Sequence, residues 1–283
     1  MKPQYSHSLI TSMMLWLDYK LVNDEQAFTN YTGQFFPQVD PSITGYAYAS
    51  PYKGWIYDSC ASGVAVNSGM YNSSGQFLTR NSGLYIDYTN GRIVSQYNWG
   101  PLASGVYASR DFNLYFSTES EVNFFLEKVY NENPNLTYTL TGSNPYLFYA
   151  PCIIFTNAQS ENKPWALGGI DESYNSIRAY ILSTNNYLQE GVNSYFNDLS
   201  RRFFSFASYG DSPLNSLGDL KAAATGGSWC YANNILGQYG YSGGTYINNV
   251  ANYKMSEKNN KQMAYYLSVN DFLVSQVRTP FLQ

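Results

Sequence analysis

Leu84-Tyr-Ile-Asp-Tyr-Thr-Asn-Gly-Arg-Ile-Val-Ser-Gln-Tyr97 is the stretch that sets the fold class. Leu84, Ile86 and Tyr88 alternate with Tyr85, Asp87 and Thr89, the period of a strand with one face on a core. Asn90-Gly91 interrupts the run, and Ile93 and Val94 resume it. Asn-Gly supplies the two positive-φ positions of a type I′ turn, whose twist matches the flanking strands. Residues 84–97 therefore read as a β-hairpin, with Asp87 on its solvated face.

The same character extends on both sides. Tyr46, Tyr48, Trp55, Ile56 and Tyr57 flank a Pro51–Gly54 turn, and Val64, Val66 and Met70 alternate with small or polar residues. Downstream, Val106 and Ala108 and then Phe112, Leu114 and Phe116 continue the alternation. Turn spacing over 46–116 suits a sandwich or barrel. Ahead of it, Leu9, Met13, Leu17 and Leu21 recur at helical spacing with Trp16 off the stripe, so residues 8–22 form a helix. That helix packs on the core or docks on a neighbouring subunit. Residues 23–45, with their Asn, Asp, Gly and Pro, read as loop. Thr118-Glu119-Ser120-Glu121 is a capping box that opens a helix through Val129. Residues 146–155 read as a strand broken at Pro151. Then come a strand at Ile177–Leu182, an amphipathic helix at Tyr187–Leu199, a strand at Phe203–Phe206, loop over 208–227, a Gly- and Tyr-rich loop at 226–244, and a terminal hairpin of 245–255 with 263–278. The expected fold class is mainly β with a few helices (α+β): a β-sandwich or barrel-like module plus a smaller α+β module. Its segments are 1–45, an N-terminal helix and loop acting as an interface arm; 46–135, the β module; and 136–283, the α+β module.

Composition narrows the function. The chain has 283 residues, 13% charged, 44% hydrophobic and 18% aromatic, with 29 Tyr. A typical domain is about 25% charged, so uncharged polar residues and Tyr have replaced about half of the charge. Disordered chains are charged and poor in aromatics, which this chain is not. Sixteen Lys+Arg against 20 Asp+Glu, a net charge of −4, is not the basic excess of a nucleic-acid binder. Cys60, Cys152 and Cys230 are an odd, sparse set without Cys-x-x-Cys spacing, so neither a disulfide framework nor a zinc site is expected, only buried thiols. The apolar stretch Leu9–Leu17 is interrupted by Asp18 and Lys20 with no small-residue cleavage site after it, which argues against a signal peptide. No run of 18 apolar residues suggests a membrane span.

Catalytic constellations are missing too. Ser or Cys nucleophiles need a base, and the one His is His7. The glycines at 237–244 lack the lysine of a phosphate loop. Among carboxylates, Asp171-Glu172 reads as a turn after Gly168-Gly169, and Asp87 and Glu190 stand apart, so no acid–base pair brackets a sugar. No enzyme, cofactor or metal is expected. Tyr fills sheet faces, lines carbohydrate platforms (the Trp99 and 226–244 loops being the candidates) or builds subunit interfaces. Low charge favours interfaces, whose cores lose Lys, Glu and Asp. The candidate interface residues are Trp16, Leu17, Tyr265, Leu267, Phe272 and Val274.

Three pieces carry a resemblance: Ala49-Ser-Pro-Tyr-Lys-Gly-Trp-Ile-Tyr-Asp-Ser59, Val64-Ala-Val-Asn-Ser-Gly-Met-Tyr71 and Ser82-Gly-Leu-Tyr-Ile-Asp-Tyr-Thr-Asn-Gly-Arg-Ile-Val94. Leu167-Gly-Gly-Ile-Asp171, leading to Ser176-Ile-Arg-Ala-Tyr-Ile-Leu182, is similar in pattern. Together they resemble the β-rich virion structural proteins of marine contractile-tailed phages. The resemblance implies a non-enzymatic neck or tail-end subunit, like a tail terminator or head–tail connector, that assembles with itself into a ring. It further implies neighbouring neck and tail proteins as partners, passive passage of DNA through the ring, no membrane, and residence in the virion after synthesis in the host cytoplasm. The rival expectation is a carbohydrate- or receptor-binding tail fibre or lectin-like module.

Overall fold

A computed structural model describes residues 5–40, 43–116, 151–166, 170–222, 227–239, 244–254 and 266–278. The fold is mainly β with few helices, and its sheets are curled or near-barrel. The chain divides into two compact units, one of Leu15–Phe112 with Gly210–Gln238, the other of Met1–Met14, Asn113–Tyr209 and Tyr239–Gln283.

The first unit holds a seven-stranded sheet. Its strands are β1 (Phe28–Gln38), β2 (Tyr46–Ala49), β3 (Gly69–Tyr71), β4 (Phe77–Thr79), β5 (Leu84–Asp87), β6 (Arg92–Ser95) and β7 (Ala103–Arg110). They run in the order β4-β3-β7-β1-β2-β6-β5, all pairs antiparallel. Helix α1 (Tyr5–Asn23) contributes its second half to this unit. Phe35, Trp55 and Tyr107 stack at its centre, with Trp55 4.8 Å from Tyr107 and 5.5 Å from Phe35.

The 84–97 hairpin forms, with Asp87 opposite Arg92. Its turn is longer than a two-residue type I′. Residues 88–91 lie between the strands, and of Asn90-Gly91 only Gly91 has positive φ, at 60°. The cause is Asp87. It is buried, not solvated, and its carboxylate accepts from the Asn90 backbone N–H at 3.0 Å and from Asn90 Nδ2 at 2.7 Å. A Cβ on Gly91 would sit 2.5 Å from the Tyr52 carbonyl oxygen. Gly91→Ala is therefore expected to cost about 1–3 kcal/mol, read from chemical denaturation. A loss below about 0.5 kcal/mol, the range of an ordinary surface change, would show that the turn relaxes freely.

Three expectations for this part need correction. Residues 23–45 are not all loop, because β1 takes 28–38 and pairs with β7 over eight residues, Phe28↔Arg110 to Phe35↔Ala103. Its hydrophobic alternation is absent because Phe35 is the single fully buried residue in it. The 46–116 run is divided: β7 ends at Arg110, and β8 (Asn113–Phe116) joins the other sheet. Residues 210–238 return to the first unit rather than staying with the C-terminal segment, so sequential segments do not describe the units.

The second unit holds a six-stranded sheet. Besides β8 it contains β9 (Cys152–Ala166), β10 (Ile170–Ser183), β11 (Phe203–Phe204), β12 (Thr245–Lys254) and β13 (Tyr266–Arg278), in the order β11-β12-β13-β10-β9-β8. β8 and β9 are parallel and the other neighbours antiparallel. The terminal hairpin is present as β12 and β13. Helix α2 (Asn186–Asp198) occupies the expected place, capped by Asn185, whose side chain accepts from Tyr187 N–H at 2.7 Å. Its Val192 and Phe196 are buried, and Phe196 meets Phe272 edge-on at 5.1 Å. The Ile177–Leu182 strand is longer than expected, and Asp171-Glu172 lies in strand rather than turn. The capping-box helix at 118–129, the proposed boundary near 135, residues 146–150 and Tyr265 lie outside the described residues.

Candidate functional site

Four arginines among the described residues are paired with carboxylates. Arg110 grips Asp18 with two bonds, Nε to Oδ1 at 2.5 Å and Nη2 to Oδ2 at 2.7 Å. It also donates to the carbonyls of Gly54 and Trp55 and lies 4.7 Å over the Tyr57 ring. Burial opposes that charge, but Asp18 more than offsets it and the guanidinium is held more firmly protonated than usual. Arg92 joins Asp87 at 2.8 Å to Asp40 at 2.7 Å, and Arg80 joins Asp219 at 2.6 Å. In the second unit Arg178 faces Asp271 across β10 and β13, again with two bonds. These guanidiniums are tied to carboxylates and do not converge on an open site.

The cysteines overturn the expectation of inert thiols. Cys60 and Cys230, 170 residues apart in sequence, form a disulfide, and Cys152 is buried outside that bond. Three cysteines give no local spacing signal, and only the fold brings two of them together. Beside the bond, Ser59 N–H and Ser59 Oγ both donate to Trp229 O, each at 2.9 Å. Asp58 accepts from the backbone N–H groups of Cys60 at 2.9 Å and Tyr231 at 3.3 Å. Burial pushes its carboxyl above the ordinary range, with those two bonds pulling back. Asp58, Cys60 and Cys230 bring three metal-ligand atoms within 4.8 Å of one another. With the sulfurs joined and both backbone amides on the carboxylate, the group acts as a clasp.

The other chemical candidates fall in separate places. His7 packs edge-on against Phe116 at 5.7 Å and Tyr209 at 6.3 Å. Glu172 accepts from the Tyr174 hydroxyl at 2.8 Å, and as strand neighbours Asp171 and Glu172 point to opposite faces. Of the proposed carbohydrate platforms, Trp229 and Tyr231 are buried. Trp99 is half-buried and donates its indole N–H to Ser95 at 2.8 Å, whereas Tyr97 beside it is 57% exposed.

The proposed interface residues are in the core. Leu17, Phe272 and Val274 are 0% exposed, Leu267 1% and Trp16 4%. A side chain enclosed by its own chain has no surface left for a subunit contact, so this assignment is corrected for all five. Apolar parity found the core, not the interface.

The outward-facing aromatic residues are different ones. Phe36, Tyr71, Phe77, Tyr97 and Leu102 are exposed large hydrophobics, and the register places four of them at one end of the seven-stranded sheet. Phe35 pairs with Ala103, which sets Phe36 beside Leu102, and Tyr71 pairs with Ser104 next along β7. Tyr71 and Phe77 lie 4.9 Å apart across the β3–β4 hairpin. A cluster of exposed aromatic and aliphatic side chains of this kind is a candidate interaction surface. Sequence reasoning missed it because residue type does not separate it from the core; the one available signal was the charge-free run Phe28–Gln38 that leads into it.

No helix among the described residues is long and apolar enough to cross a membrane. Compared with protein-family models, curated proteins and solved structures, the chain matches none.

Proposed function

We propose that this chain is a non-enzymatic virion structural protein of a tailed phage, a neck or tail-end subunit that assembles with itself into a ring. The observation that carries the reading is a contrast between four paired arginines and a set of exposed large apolar side chains at one end of a sheet. Arg80, Arg92, Arg110 and Arg178 are each paired within the chain, while Phe36, Tyr71, Phe77 and Leu102 are left on the surface. That is the composition of an interface core, aromatic and depleted in charge. The sequence resemblance supplies the virion setting, the neck and tail proteins as neighbours and the passive passage of DNA. Negative-stain electron microscopy of the purified chain tests the reading. Closed rings are expected, and a field of uniform single subunits at high concentration would contradict it.

One observation favours a second reading, a carbohydrate- or receptor-binding module. The exposed Tyr97 ring stands beside Asn98, the pairing of flat apolar face and amide that sugars engage. Quenching or enhancement of Trp99 fluorescence by added glycans is its signature.

A further inference from the structure

A strand sends the backbone groups of alternate residues to each of its edges, and an edge that meets no strand is a template for another. The turn before β1 fixes which groups go where. Asp111 N–H donates to Ala27 O at 3.0 Å, so Ala27 faces β7, as do Thr29, Tyr31, Gly33 and Phe35. The far edge of β7 shows the complementary parity, since Arg110 N–H donates to Gly54 O and Ile56 N–H to Ala108 O. The amides and carbonyls of Asn30, Thr32 and Gln34, together with the Phe28 carbonyl, therefore leave β1 on its other edge. β2 meets β1 only over Phe36–Gln38. Among the described residues no strand pairs with that edge from Phe28 to Gln34.

Natural proteins protect open edges with charge and proline, and of two edges that meet no strand among the described residues only one carries them. β9 extends beyond β8, which pairs only with Cys152–Phe155. Its exposed continuation carries Glu161, Lys163 and Pro164. The β1 segment Phe28-Thr-Asn-Tyr-Thr-Gly-Gln34 carries neither charge nor proline.

We propose that Phe28–Gln34 of β1 docks on the same strand of a second copy of this chain, antiparallel about a two-fold axis at Tyr31. Hydrogen-bonded and non-hydrogen-bonded pairs alternate along an antiparallel ladder, so a two-fold axis must pass through one residue and its own mate. Centred on Tyr31, Asn30 pairs with Thr32 of the second copy and Phe28 with Gln34, which engages each outward residue. Centred on Thr32, Phe28 would meet Phe36, which β2 already holds. A charge close to a two-fold axis meets its own copy, and the Phe28–Gln34 segment carries none. Two strand edges alone bury less than the roughly 1,200 Å² of a stable complex. Exposed side chains flank the edge on both faces and would add to it: Tyr52 stacks on Tyr31 at 4.1 Å, and Val106 lies opposite Thr32. This inference shares self-association with the ring reading but does not depend on a ring, since a two-fold contact by itself closes a dimer.

Substitution and cross-linking test the register. Thr32→Lys places like charges near the axis on an exposed position; it is expected to lower the native mass twofold while leaving the circular dichroism spectrum of the folded chain unchanged. Tyr31→Cys sets the two sulfur-bearing residues on the axis, where a non-hydrogen-bonded pair has Cα atoms about 4.5 Å apart, within disulfide reach. Oxidation is expected to give a covalent dimer from Tyr31→Cys and none from Gln34→Cys. Assembly of Thr32→Lys at the wild-type mass, or equal cross-linking of the two cysteine variants, overturns the edge pairing. If that unchanged assembly is a ring, the ring reading survives and the edge alone fails. A wild-type protein that stays monomeric when concentrated overturns both.

Discussion

Arg110→Ala is expected to cost about 3–5 kcal/mol of folding free energy, the range for breaking a buried ion pair by removing one partner. The size follows from what the guanidinium does. It neutralises Asp18 through two bonds, satisfies carbonyls at Gly54 and Trp55, and covers the Tyr57 ring. Its side chain is 9% exposed and that of Asp18 14%, so water cannot replace these partners at the same geometry. Truncation strands a carboxylate and two carbonyls in low dielectric. Asp18→Ala is expected to be comparably damaging, because it strands the cation instead. The double variant is expected to lose less than the sum of the two, with a coupling of about 1–3 kcal/mol. Urea denaturation of the four proteins gives that cycle. Additive losses each below about 1 kcal/mol, the worth of a solvated surface pair, would contradict the account of a buried anchor.

Opening the Cys60–Cys230 bond is the second large effect. In the chain-entropy treatment a cross-link closing 170 residues removes about 5 kcal/mol of freedom from the unfolded chain, so Cys60→Ser is expected to destabilise by up to about that amount. The Trp229–Tyr231 segment keeps its bonds to Ser59 and Asp58, so the reduced protein is expected to stay folded with a lower unfolding temperature. Amide exchange at 229–231 is expected to rise more than at the centre of β1 or β7. An unfolding temperature unmoved by a reductant that demonstrably frees both thiols would mean that these hydrogen bonds alone hold the segment. Thiols stay reduced in most cytosols, so this bond needs an oxidising setting to form and persist.

What the sequence disclosed follows the physics of each signal. Hairpin β5–β6, helix α2 and hairpin β12–β13 were legible because period and turn chemistry are local. Strand β1 was not legible, because one buried residue, Phe35, leaves no alternation to read. Asp87 sits on a strand among apolar residues; a two-residue Asn90-Gly91 turn would set it opposite Val94, and only the longer turn of the structure brings it against Arg92, with Asn90 as a further hydrogen-bond donor. The disulfide is a long-range fact with no spacing motif. The surface was the hardest part. Tyr46 and Tyr48 share residue type, strand and face, yet one is 46% exposed and the other 2%. Which aromatic stays outside is decided by what the rest of the chain brings to cover it.

The account turns on self-association, and the native mass of the wild-type protein over a wide concentration range measures it most directly. Light scattering and native mass spectrometry are expected to give a closed oligomer, an integral multiple of the 31.9 kDa chain, that persists on dilution. A mass that stays at one chain from dilute to concentrated solution would contradict the claim that the exposed aromatics and the open edge of β1 are built for further copies of the protein.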